Sequence, residues 1–256
     1  MAQIFRPNHN VLARLAVLGG AATPLALIVL FSQFSRSSAA TGVGTAYEQP
    51  VAFSHEHHVT ELGIDCRYCH STVEKSAHAG YPATHTCMSC HSQVWSNSPL
   101  LEPVRESYVK NVPLKWVKLN AVPDFVYFNH SIHIQRGINC NNCHGSVQAM
   151  QMAYKGRPFQ MRWCLECHRN PEKYVNKTEF VFDLYKQIQR GNHLKDDVAF
   201  KDSKLASPIG GTHEMEALAN GEQYQRSPEE LAEGKKLVAK YKIKKEQLSD
   251  CATCHH

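Results

Sequence analysis

All ten cysteines of this 256-residue chain lie in five copies of one pentapeptide, Cys-x-x-Cys-His. In chain order, motifs 1 to 5 are CRYCH (66–70), CMSCH (87–91), CNNCH (140–144), CLECH (164–168) and CATCH (251–255). Two thiols three positions apart reach the two vinyl groups on one edge of a porphyrin, and the histidine that follows lies beneath the ring as an iron ligand. The motifs therefore predict five covalently attached haems c, and they leave no cysteine for a disulfide framework or a catalytic thiol.

The pentapeptides define the first predicted site residues. The thioether-forming cysteines are Cys66, Cys69, Cys87, Cys90, Cys140, Cys143, Cys164, Cys167, Cys251 and Cys254, and the proximal iron ligands are His70, His91, His144, His168 and His255. Zinc binding and thiol–disulfide chemistry are the alternatives for a C-x-x-C pair. Neither explains why a histidine follows every second cysteine, so we interpret all five motifs as sites of haem attachment.

Four motifs fall within residues 53–168, at about 29 residues per haem. Segments this short cannot each build an independent hydrophobic core. The predicted fold is therefore a multihaem cytochrome c, with mostly short helices and loops wrapped around stacked haems and one N-terminal transmembrane helix. An internal repeat supports duplication of a two-haem module, since FSHEHH (53–58) precedes motifs 1 and 2 and FNHSIH (128–133) precedes motifs 3 and 4.

Residues 15–34 form a charge-free, largely apolar stretch that is long enough to span a bilayer. Arg6 and Arg14 precede it and only Arg36 follows closely, so the positive-inside rule places the N-terminus in the cytoplasm. A cleaved signal peptide is the alternative, but its apolar region usually runs for about 7–15 residues. We expect a single-pass anchor in the inner (cytoplasmic) membrane, with the haem domain on the periplasmic side.

The remaining segments follow from the motifs and the composition. The predicted organisation is a cytoplasmic N-terminus (1–14), the anchor (15–34), a linker (35–52), duplicated two-haem modules (53–170), a charged haemless insert with helices (171–250) and the fifth attachment site (251–256). Within the insert, Ser227-Pro228-Glu229-Glu230 is a capping box that starts a helix, and a second helix is predicted over 179–190. The lysine run 235–245 is interpreted as a solvated helix face, with a docking surface as the alternative.

The formal charge of +5 does not indicate a nucleic-acid partner. Each haem carries two propionates, so five haems would offset the basic excess. We therefore expect no nucleic-acid binding.

The F-x-H-x-x-H elements that precede pairs of C-x-x-C-H motifs resemble those of class III multihaem cytochromes. In that family the first histidine ligates the haem attached just downstream, and the second ligates a neighbouring haem. The resemblance implies that His55 ligates the haem of motif 1, His130 that of motif 3, His58 that of motif 2 and His133 that of motif 4; the last two assignments could be exchanged. For the second iron ligand of the fifth haem, the resemblance implies His78 or His85, and His213 and Met215 in the insert are the alternatives.

The order of parts resembles the pentahaem cytochrome c subunits of alternative complex III, a quinol:electron acceptor oxidoreductase. Those parts are one N-terminal span, two F-x-H-x-x-H modules with four haems, a charged insert and a terminal CATCH motif. The resemblance implies a non-catalytic subunit that relays electrons from quinol oxidation. The implied partners are an integral-membrane quinol-binding subunit, an iron–sulfur subunit, and a monohaem cytochrome c or terminal oxidase as acceptor.

Two alternative functions each fit part of the sequence. A quinol dehydrogenase-type cytochrome that feeds a periplasmic reductase also has one N-terminal anchor, but its four haems leave motif 5 and the insert unexplained. A multihaem reductase needs an open coordination position, which pentahaem nitrite reductases mark with a C-x-x-C-K motif that this sequence lacks.

Overall fold

A computed structural model describes residues 6, 8–182 and 226–255 of the chain. Its Cα positions divide into two compact units, Met1–Val43 and Gly44–His256.

The first unit is dominated by one long apolar helix. α1 spans His9–Phe34 and is about 39 Å long at 1.5 Å per residue, which exceeds the roughly 30 Å of a bilayer's hydrocarbon core. None of its side chains is buried, as expected of a surface that faces lipid. The predicted span 15–34 lies inside it; the helix begins earlier because residues 9–14 contain no helix breaker. α2 (Ser38–Thr41) follows and ends at Gly42, whose φ is 69°.

The second unit consists of short helices and loops. Its α-helices are α3 (Cys66–Cys69), α4 (Thr84–His91), α5 (Glu102–Lys110), α6 (His130–Gln135), α7 (Cys140–His144), α8 (Met161–Arg169), α9 (Pro228–Lys240) and α10 (Cys251–Cys254). A π-helix covers Glu56–Glu61, and 3-10 turns cover Pro99–Leu101, Val147–Ala149, Pro171–Lys173 and Thr178–Phe180. Within the described ranges no strand forms, and one isolated bridge pairs Ala46 with Tyr154. The predicted fold class is confirmed.

Apolar side chains form two small buried clusters in the described part of this unit. One contains Val51, Leu101 and Val104, with Met88 and Trp116 among the partly buried residues around it. The other is formed by the buried residues Val73, Ile134 and Val181. Clusters of this size are far smaller than the core that a soluble domain of similar length normally builds.

Part of the predicted linker 35–52 belongs to the second unit, Gly44–His256, which carries the five motifs and is called the haem-motif unit below. The Gly44 N–H donates to the Lys155 carbonyl at 2.9 Å, and the Gln49 side chain both accepts from and donates to the Val117 backbone. Val51 is buried. The prediction of a free linker is therefore wrong from Gly44 onward, because backbone pairing and Val51 fix this stretch.

The helix predicted from the capping box is confirmed as α9. The Glu230 N–H donates to Ser227 Oγ at 3.3 Å, and the Ser227 N–H donates to Glu230 Oε2 at 2.7 Å. α9 packs against the turn Pro171–Lys173, with Leu237 buried. Gly234 approaches the Glu172 carbonyl so closely that a Cβ would overlap it. The predicted helix over 179–190 lies mostly outside the described residues, as do His213 and Met215.

The close approach of Gly234 gives a test of this packing. We expect Gly234→Ala to lower the free energy of unfolding by about 1–3 kcal/mol, because the added methyl group pushes α9 off the Glu172 carbonyl. This loss outweighs a gain of about 1 kcal/mol in helix propensity. Ala239→Ser, on the exposed side of α9, is the control and should change stability by less than about 0.5 kcal/mol. Thermal unfolding followed by circular dichroism measures both; equal melting temperatures would contradict this packing.

Candidate functional site

Each C-x-x-C-H motif lies on a short helix that orients its three functional side chains. In motifs 1 and 5 the histidine N–H donates to the carbonyl of the first cysteine at 2.9 Å, which is the bond of one helical turn. That turn places both cysteines on one side. Asp65 caps the first turn by accepting from the Arg67 N–H at 2.8 Å. All ten thiols are free, so each pair can take the two thioether bonds of a haem c.

Four proximal histidines are oriented by a bond from the ring to the backbone. Nδ1 lies 2.8 Å from the Gly80 carbonyl for His70, 3.0 Å from Val94 for His91, 2.8 Å from Leu248 for His168 and 2.9 Å from Phe125 for His255. A ring whose Nδ1–H donates to a carbonyl keeps the lone pair on Nε2. The same arrangement orients histidine ligands in metal sites generally. These rings therefore present Nε2 in the form that binds iron.

The two F-x-H-x-x-H elements have nearly the same ring geometry. Phe53 lies 4.9 Å edge-on from His55 and 4.5 Å stacked on His58. Phe128 lies 4.8 Å edge-on from His130 and 4.6 Å stacked on His133. His58 and His133 also place Nδ1 2.8 and 2.7 Å from the carbonyl four residues earlier. The phenylalanine thus fixes both imidazoles, although one element lies on the π-helix and the other on α6.

Three pairs of rings, each made of one F-x-H-x-x-H histidine and one C-x-x-C-H histidine, lie at nearly the same distance. The ring centroids are 6.2 Å apart for His58 and His91, 6.3 Å for His130 and His144, and 6.2 Å for His133 and His168. Two imidazoles bound to opposite sides of one metal, at about 2.0–2.1 Å each, place their ring centres roughly 6 Å apart. The interplanar angles are 64°, 1° and 24°, and two rings that turn about one common axis can adopt any such angle without changing the distance between their centres. The residues therefore fit a haem with two histidine ligands.

The fourth predicted pair, His55 and His70, is close but less regular. Burial, and then the charges of His70 and His58, lower the pKa of His55 to about 4. The His55 Nδ1 is buried without a hydrogen-bond partner among the described residues, and this pair lacks the ring contact that the other three pairs make. The structure therefore places His55 and His70 close together, but without the ring-to-ring distance of 6.2–6.3 Å that the other three pairs share.

Burial sets the protonation of the candidate ligands. It lowers the pKa of His144 to about 4, with smaller effects from the nearby His130 and His70, and it also lowers the pKa of His133. These imidazoles are neutral at pH 7, which is the form that coordinates metals. Burial likewise raises the pKa of the Cys143 thiol to about 12. The sites therefore offer neutral donors.

Direct contacts connect motif 1 to motifs 2 and 3. The Tyr68 hydroxyl, inside motif 1, lies 2.7 Å from Ser89 Oγ, inside motif 2. The start of α6 pairs with the loop after motif 1, because the backbone N–H of His130 donates to the Ala77 carbonyl at 3.1 Å and His130 Nδ1 lies 2.8 Å from the same oxygen. A hydrogen bond between the thiols of Cys66 and Cys140 lowers the pKa of the former and raises that of the latter. Motif 1 therefore lies between motifs 2 and 3.

Motif 4 in turn contacts motifs 3 and 5. The Phe159 ring lies 6.3 Å from that of His144 in motif 3 and 5.4 Å from that of Trp163, on the helix of motif 4. The carbonyl that accepts from His168 belongs to Leu248, three residues before motif 5. The pKa of Cys164 is raised by burial first and then by the charge of Cys254. Motif 4 therefore lies between motifs 3 and 5.

The fifth site is lined by a loop rather than by a second histidine of the described chain. His255 stacks on Phe125 at 5.7 Å, and the Tyr127 N–H donates to the Cys254 carbonyl at 2.9 Å. His78 is exposed near His130, and His85 is exposed at the start of α4. The structure places neither in contact with His255.

Two groups of site residues were not predicted from the sequence. The backbone carbonyls that orient the proximal rings belong to Gly80, Val94, Phe125 and Leu248, and a sequence pattern gives no signal for a carbonyl. Phe53 and Phe128 had a signal, since each opens an F-x-H-x-x-H element, but the pattern did not reveal that the ring positions both histidines.

Two comparisons with known proteins bear on the site. Residues 126–190, which contain motifs 3 and 4, match the family model "Cytochrome c7 and related cytochrome c". The chain is also 34% identical over 144 residues to "Menaquinone reductase, multiheme cytochrome c subunit" of Nitratidesulfovibrio vulgaris (strain Hildenborough). That match covers 48% of this chain and 69% of the relative.

The facing pairs predict what loss of one ring does. We expect His133→Ala to convert one low-spin ferric haem to high spin, because His168 then has no imidazole opposite it, and added imidazole should restore the low-spin spectrum. His57→Ala is the control: His57 bonds Glu61 at 2.6 Å, stacks on Trp95 and meets the His58 ring only edge-on at 5.5 Å, so its removal should leave the spin state unchanged. Absorption and electron paramagnetic resonance (EPR) spectra of the oxidised proteins measure this. An unchanged His133→Ala spectrum would remove His133 as a ligand.

Proposed function

This chain belongs to the multihaem cytochrome c family, and from that premise we propose that it is the pentahaem electron-relay subunit of a membrane-bound quinol:electron acceptor oxidoreductase of the alternative complex III type. The observation that carries the proposal is the set of three histidine pairs facing each other at 6.2–6.3 Å. A haem held by two protein ligands has no coordination position left for a substrate, so such sites transfer electrons rather than catalyse a reaction.

The five C-x-x-C-H motifs would each hold one haem c. We assign His58 opposite His91 for motif 2, His130 opposite His144 for motif 3 and His133 opposite His168 for motif 4. His55 is assigned to motif 1 with His70, on proximity alone. Bound there, each haem supplies a reversible one-electron couple.

The chain's own residues would prepare these sites in three ways. The cysteine pairs fix the porphyrin edge, and the Nδ1 bonds to carbonyls keep the imidazoles turned so that Nε2 faces the metal. Burial keeps His133 and His144 neutral. Two imidazole ligands hold the potential below that of a histidine–methionine site, which suits electrons arriving from a quinol.

Membrane attachment supports a quinol-linked role. α1 is long and apolar enough to cross a bilayer. Arg6 before it and Arg14 in its second turn favour a cytoplasmic N-terminus and a periplasmic haem domain. The partners that fit are an integral-membrane quinol-binding subunit and an iron–sulfur subunit. A monohaem cytochrome c or a terminal oxidase would accept the electrons.

The name of the relative supports a second candidate, in which electrons flow in the opposite direction. "Menaquinone reductase" describes electrons delivered to a quinone. A row of haems conducts both ways, so this chain would then carry electrons from a soluble donor to the membrane pool.

Purification of the native complex in mild detergent tests the proposal. We expect the five-haem chain to co-purify with a polytopic membrane subunit and an iron–sulfur subunit, and added menadiol to reduce its haems. A quinol-site inhibitor should block that reduction. Isolation of the chain as a lone monomer that menadiol reduces no faster than it reduces free haem would contradict the proposal. Rapid oxidation of the haems by a quinone, without reduction by the quinol, would favour the second candidate.

A further inference from the structure

The contacts between motifs give the attachment sites an order in space that differs from their order in the chain. Motif 1 contacts motif 2 through Tyr68 and Ser89, and motif 3 through Ala77 and His130. Phe159 joins motif 3 to motif 4, and the Leu248 carbonyl joins motif 4 to the turn before motif 5. The row therefore runs 2–1–3–4–5, with motifs 2 and 5 at its two ends.

The surface beside the motif 5 end is strongly basic. Residues 235–245 contain six lysines and no acidic residue, and all six are exposed. Lys245 pairs with Glu172 at 3.1 Å, and Lys236 lies 4.0 Å from Glu233. The other four lysines, which we call the lysine surface, form no ion pair with the described chain. They are Lys235, Lys240, Lys242 and Lys244.

The lysine surface is held in place rather than tethered loosely. Gly234 and Leu237 bury the opposite side of α9, and the Thr178 N–H donates to the Tyr241 hydroxyl at 3.1 Å. Arg226 donates to the Asn176 side chain at 2.8 Å just before the helix begins. Residues 241–250 then lead directly into motif 5 while Leu248 accepts from His168. The positive charge is thus fixed beside the last two sites of the row.

Fixed charge beside the end of a conducting row has a specific use. Complementary charges steer two proteins together and raise association rates by factors of about 10 to 1,000 at low ionic strength, and transient redox complexes rely on small, weakly bound interfaces. We propose that electrons pass between this chain and a soluble redox protein at motif 5, and that the lysine surface binds the acidic face of that partner. The proposal rests on the relay function proposed above and names the end of the relay.

A charge-reversal experiment tests the surface. The fully reduced protein is mixed by stopped flow with oxidised plastocyanin, a small blue-copper protein with an acidic face. The wild-type rate constant should fall as ionic strength rises. K235E/K240E/K244E should be slower by about tenfold or more at low salt and should lose this salt dependence.

The control carries the same change of charge at the other end of the row. K110E/K115E/K118E alters three exposed lysines in the region that packs around Cys87 and Met88, and its rate should stay within about twofold of wild type. Unchanged low-spin spectra establish that both variants are folded. Equal slowing of the two variants would contradict the proposal. A second result would also contradict the proposal. If K235E/K240E/K244E keeps the wild-type salt dependence but has a lowered haem potential, the lysines pair with the haem propionates of this protein rather than with a partner.

Two variants, each lacking one haem attachment site, test the order of the row in the same assay. Loss of motif 2 (C87A/C90A) should leave four haems that are oxidised in one kinetic phase. After loss of motif 1 (C66A/C69A), the haem of motif 2 should be oxidised at least tenfold more slowly than the other three haems of that variant. A row in chain order predicts the reverse. EPR of the intact ferric protein gives a second measurement, which does not need either variant to accumulate. Spin coupling between the haems of motifs 1 and 3 would support the order, and its absence would contradict it.

The wild-type kinetics separate failure of the relay from failure of the docking surface. If a large share of the haems stays reduced in wild-type protein under excess plastocyanin, the row is interrupted and the relay function itself is wrong. If all haems are oxidised together and the lysine substitutions have no effect, the relay stands and the docking surface is wrong.

Discussion

The hydrogen bond from an imidazole Nδ1 to a backbone carbonyl is the interaction on which the rest of this structure depends. It is made by four of the C-x-x-C-H histidines and by three histidines of the F-x-H-x-x-H elements, and it leaves Nε2 of each ring available to bind a metal. The acceptors for His58 and His133 lie four residues earlier, inside the same element. The acceptors for His70, His168 and His255 lie in separate loops, so the same bonds also hold the chain around the sites.

A fold built on such bonds needs little apolar core of its own. The two buried clusters in the described part of the second unit are small, and the helices have only four to thirteen residues. Short elements of this kind are marginal in isolation. Their positions are set by the motifs they carry and by specific contacts, such as Phe53 on His58 and Tyr68 on Ser89. This explains how four C-x-x-C-H motifs fit within 116 residues.

Much of this could be predicted from the sequence, because the chemistry is local. The C-x-x-C-H spacing predicts one helical turn per motif, and the capping box at Ser227 predicts the start of α9. What could not be predicted depends on distant residues. The order of the motifs in space rests on contacts such as Tyr68 with Ser89 and His130 with Ala77, which no local pattern contains. The pairing of residues 44–52 with the haem-motif unit was missed because a Gly/Ala/Thr composition resembles a free linker.

The central claim is that the haem irons are held by two protein ligands and so relay electrons without binding a substrate. Titration of the fully reduced protein with carbon monoxide tests this most directly, since carbon monoxide binds only at an open or weakly held coordination position. The account predicts no more than one carbon monoxide per chain, with the haem of motif 5 as the sole site that could bind it. Binding of two or more per chain, or binding at any of motifs 1 to 4, would contradict it.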